Sequence, residues 1–273
     1  MPRSSILLLA ALLGACSGAR LPKTPRGEAI LQVRGAVKHA PFRLGEQDLA
    51  ALRQGKLRGV DPETGREASY EGVDLSALED RLDLTGGADT LVLRTADRRA
   101  VPIPLSLLQE LRPVLAGRRD GTPLSELMVA WPNVEHHGFS TDPRASLWWA
   151  HKVIALEYVA WARSYGRALH VVEGAPPGAL AGGAVFGMRC SACHRVHEVG
   201  GANGPDLGRV GESLTPERLR EILRGHPGWD VPGAEPPLDA TAGQLLAFLR
   251  TMARTPAPDP NEPGDKLERR ARQ

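Results

Sequence analysis

The residues with the clearest chemistry are Cys190, Cys193 and His194, which together form a C-x-x-C-H motif. Two thiols with this spacing can form thioether bonds to the vinyl groups of a haem, and the adjoining imidazole can then ligate the iron. In an exported protein the motif therefore predicts one covalently attached haem c, with His194 as the proximal iron ligand. The rest of the chain must house this group and deliver it to the right compartment.

Two other uses of paired cysteines fit this sequence less well. A structural zinc site needs four ligands, usually including a second Cys or His pair, and the sequence has no second pair of that kind. A redox-active C-x-x-C motif belongs in a βαβ unit, whereas helical and Gly/Pro-rich sequence flanks this one. Haem c is attached outside the cytoplasm, so an export signal at the N-terminus would favour the haem interpretation.

The N-terminus has the composition of an export signal. A basic start at residues 1–3 precedes an apolar run at residues 6–13, which is too short to span a bilayer. The run ends in LGAC, whose cysteine is Cys16 and which resembles the lipobox of bacterial lipoproteins. The resemblance implies removal of signal residues 1–15, lipidation of Cys16 and export to the periplasm or cell surface with a membrane anchor. The alternative is an ordinary signal peptide with an incidental cysteine.

The bulk composition favours a globular chain of two domains. The 273 residues are 42% hydrophobic and 24% charged, and this length suits two domains. A formal net charge of +2 leaves no basic excess for binding phosphates, so nucleic acid is not an expected partner. Pro- and Gly-rich composition predicts a tether at residues 16–27 and a linker at residues 171–180. The charged, Pro-rich tail at residues 255–273 is expected to be disordered.

The first predicted domain, residues 28–170, mixes short strands and short helices. Residues 60–68 are expected to form a turn-rich excursion, and strands are predicted at residues 30–35, 42–44, 90–95 and 127–131. The order of these pieces resembles the molybdopterin-binding domain of the sulfite-oxidase family. The resemblance lies in the segments LQVRGAVKHAPFRL, YEGVDLSALEDRL, DTLVLRTADRRAVPIPLSLL and the closing LMVAWP and WWAHKVIALEYV.

One residue that this resemblance requires is missing. Members of that family bind molybdenum through a cysteine thiolate of this domain, and the present sequence has no Cys between residues 17 and 189. The domain therefore has no soft anionic sulfur to offer the metal. The expectation is a cofactor-free relative of the fold that serves as a scaffold or docking surface, without molybdopterin. The alternative is a pterin that is held without ligation by the protein.

The second predicted domain, residues 181–254, is similar to the class I monohaem cytochromes c. The similarity implies an all-α cytochrome c domain in which the Pro205 carbonyl accepts the Nδ1–H of His194 and so orients its imidazole. Thr215 followed by Pro216 predicts the start of a further helix. The matching segments are a small-faced helix at residues 181–189, the C-x-x-C-H motif, the GPDLG run at residues 204–208 and a terminal helix, TAGQLLAFLRTM, at residues 241–252.

The sixth iron ligand is not determined by this similarity. The family usually supplies a Met followed by Pro shortly before the terminal helix, but the matching position here is Glu235, a poor ligand for an electron-transfer haem. His226 and Met252 are the two candidates, and an open or otherwise ligated site is the third possibility. His226 could instead be a basic residue that favours a helix C-terminus, and core packing alone would explain Met252. The ligand matters because it sets the potential and the use of the haem.

A further histidine cluster has a weaker claim to chemistry. His136 and His137 follow Glu135, and His151 could join them in space to form a metal site. Histidines that share a metal on a helix are spaced at i and i+4, and these are not. A solvated loop is therefore the favoured interpretation.

The sequence thus predicts an α+β chain, with a mixed sulfite-oxidase-like α/β domain followed by an all-α cytochrome c domain. The expected function is relay of single electrons between redox partner proteins from a membrane anchor, and no catalytic residue is assigned. Two alternatives stay open. One is a sulfite-dehydrogenase-like oxidoreductase that uses molybdopterin and haem, and the other is a haem-based sensor that binds a ligand.

Overall fold

The computed structural model describes residues 21, 24–142, 144–226 and 238–254. The predicted signal peptide, the predicted lipidation site Cys16, most of the tether, Glu235 and the C-terminal tail at residues 255–273 lie outside them. Among the described residues, no helix is both long enough and apolar enough to cross a membrane.

Eleven strands are found in the described part of the chain. They are β1 (Ala29–Gly35), β2 (Phe42–Gly45), β3 (Gln54–Asp61), β4 (Arg66–Asp74), β5 (Thr90–Thr95), β6 (Ala100–Pro104), β7 (Val114–Arg119), β8 (Thr122–Ala130), β9 (Val153–Val159), β10 (Arg195–Val196) and β11 (Val199–Gly200).

The helices are short except for the last. They are α1 (Glu46–Ala50), α2 (Leu75–Glu79), α3 (Leu105–Leu111), α4 (Ala145–Trp148), α5 (Tyr165–Ala168), α6 (Ala179–Val185), α7 (Pro216–Arg224) and α8 (Leu238–Arg254). Three 3-10 turns lie at His137–Thr141, Trp161–Arg163 and Val210–Glu212, and one π-helical turn spans Phe186–Cys190.

Residues 24–159, here called the sheet region, contain two β-sheets. The first has the strand order β2-β1-β9-β5-β6, in which β1 and β9 are parallel and the other neighbours are antiparallel. The second has the antiparallel order β3-β4-β7-β8. One hydrophobic cluster fills this region, so the two sheets share a core.

The inner strand β5, between β9 and β6, is buried on both faces because both are covered by other elements. Leu91 and Leu93 point into the main hydrophobic cluster of the sheet region. Val92 points the other way, into a small cluster with Ala100 and Tyr165. Successive side chains of a strand alternate between faces, so the second face of this sheet is the one that meets the rest of the chain.

Residues 165–226 and 238–254, here called the helical region, have their own hydrophobic cluster around α8. The terminal helix was expected to bury Leu245, Phe248 and Leu249, and all three are at most 2% exposed, which confirms that expectation. The region also contains the two-residue antiparallel hairpin β10–β11. It is therefore mostly rather than entirely helical, and the α+β class of the whole chain is confirmed.

Two local predictions were wrong in their details. The turn-rich excursion expected at residues 60–68 is only a tight turn, because β3 and β4 pair through Asp61 and Arg66 on either side of it. These strands are hard to recognise in the sequence because glycines inside a strand weaken its pattern. Gly59 is required in β3 because a Cβ there would collide with the Trp131 backbone. The helix expected at residues 181–189 is instead α6 followed by the π-helical turn.

Candidate functional site

The site is built on the turn that follows α6. The π-helical turn ends at Cys190, and its carbonyl accepts hydrogen bonds from the N–H groups of Cys193 (3.1 Å) and His194 (2.8 Å). One tight turn therefore holds both thiols and the imidazole on a single short stretch, here called the attachment loop (residues 190–204). Neither Cys190 nor Cys193 is in a disulfide, and both side chains are partly buried.

The thiols do not have the character of a redox-active pair. Burial raises the pKa of Cys190 to about 12, although the positive charge of Arg189 opposes the rise. Burial also raises the pKa of the Cys193 thiol. Reactive cysteines and redox C-x-x-C motifs have a lowered thiol pKa, so the raised pKa of these two thiols fits a dithiol oxidoreductase less well.

The imidazole of His194 is fixed in one orientation. Its Nδ1 lies 2.9 Å from the carbonyl oxygen of Pro205. A carbonyl only accepts, so Nδ1 carries the proton and donates it, which leaves Nε2 unprotonated and able to accept a metal. Burial lowers the pKa of His194 and keeps the ring neutral, as does the nearby His226, while the bond to Pro205 opposes the shift. A neutral imidazole is the form that ligates a metal.

The contact with Pro205 is therefore present, as the similarity to cytochromes c implied. Its role toward an iron stays a prediction.

Gly204 lets the backbone lie flat against this ring. A Cβ at Gly204 would come within 2.6 Å of Nδ1 and 2.8 Å of Nε2 of His194, which is closer than any real side chain tolerates. Gly201 is packed in the same way against the carbonyl of Ala192. The sequence identified GPDLG as a motif. It did not show why the first glycine is needed, and the structure explains this by the contact of Gly204 with the imidazole.

Two helices hold the attachment loop from behind. A Cβ on Gly182 of α6 would come within 2.9 Å of the Phe248 Cβ in α8, so the helices cross with almost no space between them. The rings of Phe186 and Phe248 lie 5.5 Å apart at this crossing. Gly211, in the 3-10 turn before α7, packs as closely against Leu249 of α8. The small residues expected on the first helix therefore allow α6 to pack closely against α8, as predicted.

The two candidates for a second iron ligand lie in different surroundings. The ring of His226, just after α7, lies 5.6 Å from the ring of His194 between centroids, at 39° between planes. Met252 is 1% exposed and belongs to the hydrophobic cluster around α8. The structure therefore brings His226 together with His194 and places Met252 where core packing explains it.

The other histidine cluster does not assemble. His136 and His137 are exposed in the loop after Trp131, as expected for a solvated loop. His151 lies elsewhere, with its Nε2 at 3.4 Å from Glu63 and 3.6 Å from Asp61. Within the described ranges, no group of three or more His, Cys, Asp or Glu side chains could hold a metal ion.

One part of the site was not predicted at all. The attachment loop lies against the β5–β6 turn (residues 96–99) and the start of β6 in the sheet region. The Ala100 N–H donates to the Ala192 carbonyl at 2.8 Å, and the Ala202 N–H donates to the Arg98 carbonyl at 2.8 Å. Ala192 is counted in the main core of the sheet region. About 90 to 100 residues separate these partners, so no local sequence pattern could reveal the contacts.

A second link between the regions is electrostatic. Arg94 of β5 donates to Glu157 of β9 at 2.6 Å and to the carbonyl of Gly200 at 3.3 Å. Arg34 also donates to Glu157, at 2.9 Å. Burial opposes ionisation of Glu157, but the two arginines outweigh it and lower its pKa. The carboxylate thus holds Arg94 in position to bind the attachment loop.

Comparisons with known proteins add little to this geometry. No protein-family model matches the sequence, and no curated protein matches it. Among solved structures, the sulfane dehydrogenase SoxCD from Paracoccus pantotrophus is similar with 14% sequence identity and a TM-score of 0.38. The match covers 52% of this chain and 40% of that chain. We infer nothing about function from a similarity this distant.

Proposed function

We propose that this chain is an exported c-type cytochrome that relays single electrons between redox partner proteins. The observation behind the proposal is the attachment loop itself. It presents two neutral thiols and, next to them, an imidazole whose Nδ1 is bonded to the Pro205 carbonyl. A bound haem c supplies a reversible one-electron couple at iron.

The residues present fit such a group. Cys190 and Cys193 are unpaired thiols with the spacing of a haem attachment motif. The hydrogen bond from His194 to Pro205 sets the ring orientation and supports Nε2 as the nitrogen that would hold the iron. Gly204 keeps the ring against the backbone, where any larger residue would displace it.

His226 is the proposed sixth ligand. Bonds between a metal and an imidazole nitrogen are about 2 Å long, so two imidazoles that would hold one metal would have centroids at most roughly 6 Å apart. The observed 5.6 Å between His194 and His226 is close to that spacing. Met252, packed in the core, is the less suited candidate.

The sheet region is proposed to act as a scaffold without a cofactor of its own. Three of its buried or half-buried carboxylates are used in ion pairs: Asp48 with Arg26 at 2.6 Å, Asp74 with Arg112 at 2.6 Å, and Glu157 with Arg94 at 2.6 Å. The sequence also offers no thiolate there for molybdenum. The helical region of the same chain is proposed to have the cytochrome c fold and to carry the haem.

We further propose that lipidated Cys16 anchors the protein to a membrane in the periplasm or at the cell surface. This part rests on the lipobox-like sequence alone. A Cys16→Ser variant is expected to leave the membrane fraction and appear in the soluble fraction with its haem unchanged. Retention of the variant in the membrane fraction would contradict the anchor.

Elemental analysis of the purified protein separates electron carrier from molybdenum enzyme. The proposal predicts about one iron per chain and no molybdenum, with the absorption spectrum of a c-type haem. Stoichiometric molybdenum would support the sulfite-dehydrogenase-like alternative. Iron well below one per chain in protein matured with a haem-attachment system would contradict the proposal.

Spectra of ligand variants test the sixth ligand and the sensor alternative. His226→Ala is expected to convert a low-spin six-coordinate haem into a high-spin or weakly ligated one by absorption and EPR, whereas Met252→Leu is expected to leave both spectra unchanged. The reduced wild type is expected not to bind carbon monoxide readily, because His226 occupies the position. Rapid carbon monoxide binding, or a shift with Met252→Leu instead, would overturn the assignment.

A further inference from the structure

The attachment loop is held on two sides by one turn of the sheet region. Arg98 accepts a hydrogen bond from Ala202, and Ala100, two residues later, donates one to Ala192. The bonded residues of the loop therefore lie on either side of Cys193 and His194 in sequence. The β5–β6 turn thus lies directly against the loop that would carry the haem.

Two residues of this turn, Asp97 and Arg99, form an ion pair next to these backbone contacts. Asp97 accepts from the Thr95 hydroxyl and lies 3.1 Å from Nε of Arg99, while the Arg99 N–H donates to the Thr95 hydroxyl at 3.0 Å. The Arg99 side chain is 20% exposed and the Asp97 side chain 35%. Both charges are therefore only partly screened by water, so each keeps an electrostatic influence on its surroundings.

We infer that Asp97 and Arg99 form part of the haem site and set its reduction potential. The inference rests on the proposed function and deepens it. Arg99 favours the ferrous state, whose net charge is lower by one, and Asp97 favours the ferric state. The two opposed charges hold the potential at an intermediate value, so the sheet region tunes the haem as well as supporting it.

A double-mutant cycle on the holoprotein tests this inference by redox titration. Arg99→Gln is expected to decrease the equilibrium constant for reduction about three- to tenfold, a tenfold change being about 59 mV for a one-electron couple. Asp97→Asn is expected to increase the constant by a similar factor, and the double variant to return near wild type. Arg99→Lys keeps the charge and is expected to retain most of the wild-type potential.

The matched control is Arg58→Gln. Arg58 lies on β3 of the other sheet and pairs with the carboxylate of Glu67 on β4. This variant is expected to change the constant less than twofold. Equal shifts in Arg99→Gln and the control, or shifts of the same sign in Arg99→Gln and Asp97→Asn, would overturn the inference in a protein that carries haem. Absence of covalent haem from the wild type would overturn the proposed function as well. If Arg99→Gln does not fold, Asp97→Asn alone decides the sign.

Discussion

The sheet region and the helical region use their buried polar groups differently. In the sheet region, carboxylates such as Asp48 and Asp74 are neutralised by arginines. In the helical region, His194 is neutral, bonded to a backbone carbonyl and packed against Gly204. Paired charges contribute to structure and leave little chemistry available, whereas an oriented neutral imidazole beside two thiols offers groups that could bind a haem.

The proposed function resides in the helical region. The ion pairs of Asp48, Asp74 and Glu157 in the sheet region are consistent with its proposed role as a scaffold. The helical region is built around one imidazole whose position depends on contacts of Gly204 and Pro205. The two regions meet at the attachment loop, so the scaffold contributes to the site through the β5–β6 turn.

The largest expected effect comes from removing the thiols. A Cys190→Ser/Cys193→Ser double variant is expected to lose covalent haem completely, because serine cannot form the thioether bonds. Haem staining of the denatured protein measures this loss. Cys16→Ser is the matched cysteine control and is expected to stain like wild type. Staining of the double variant would show that the two regions do not differ in the way proposed.

The next largest effect is expected from Gly204→Ala. The added methyl group would overlap the His194 ring, so the loop or the ring must move. Overpacking of this kind costs about 1–3 kcal/mol of unfolding free energy, and the displaced ligand should also change the haem spectrum. Denaturant unfolding and absorption measure the two effects.

Gly243→Ala in α8 is the control for this variant, since a Cβ there meets nothing within 4 Å. In a helix interior, alanine is favoured over glycine by roughly 0.5–1 kcal/mol, so this variant should be slightly stabilised with an unchanged spectrum. If the two glycine variants behaved alike, the close contact with His194 would not matter to the site.

The smallest expected effect lies in the sheet region. Glu157→Gln removes the charge that holds Arg94 and Arg34, and we expect a loss on the order of 1 kcal/mol at pH 7. The folded pKa of Glu157 is lowered, so this stabilisation is present above the unfolded pKa of about 4.3. It is lost as the pH falls through the folded pKa. Wild type and variant should therefore converge in acid.

Unfolding curves between pH 3 and pH 7 measure that convergence. Glu67→Gln is the control, because Glu67 pairs with Arg58 on the exposed face of the other sheet and its side chain is 41% exposed. We expect almost no change in that variant. A constant difference between Glu157→Gln and wild type at every pH would show that the carboxylate contributes through its shape and not through its charge.

Local patterns in the sequence predicted the parts of the site that are local in the chain. Thr215 caps α7, with its hydroxyl accepting from the Arg218 N–H at 3.2 Å, and Pro216 is the first helical residue, as expected. The C-x-x-C-H motif and the apolar stripe of α8 are likewise short-range patterns. Such features depend only on residues within a few turns of one another.

Other features could not be predicted because they depend on distant parts of the chain. The strands β3 and β4 contain glycines that are required by contacts across the sheets, and these glycines weaken the strand pattern. The approach of His226 to His194 and the contact of Ala100 with Ala192 both join residues far apart in sequence. Neither hydrophobic periodicity nor motif spacing in a single sequence indicates contacts between such distant residues.

The mass of one peptide tests the central claim most directly. Trypsin cleaves after Arg189 and Arg195, so the peptide of residues 190–195 contains both cysteines and His194. After acid denaturation and extraction with organic solvent, the account predicts that this peptide keeps the added mass of one haem bound through Cys190 and Cys193. An unmodified peptide, with both thiols free, would contradict it.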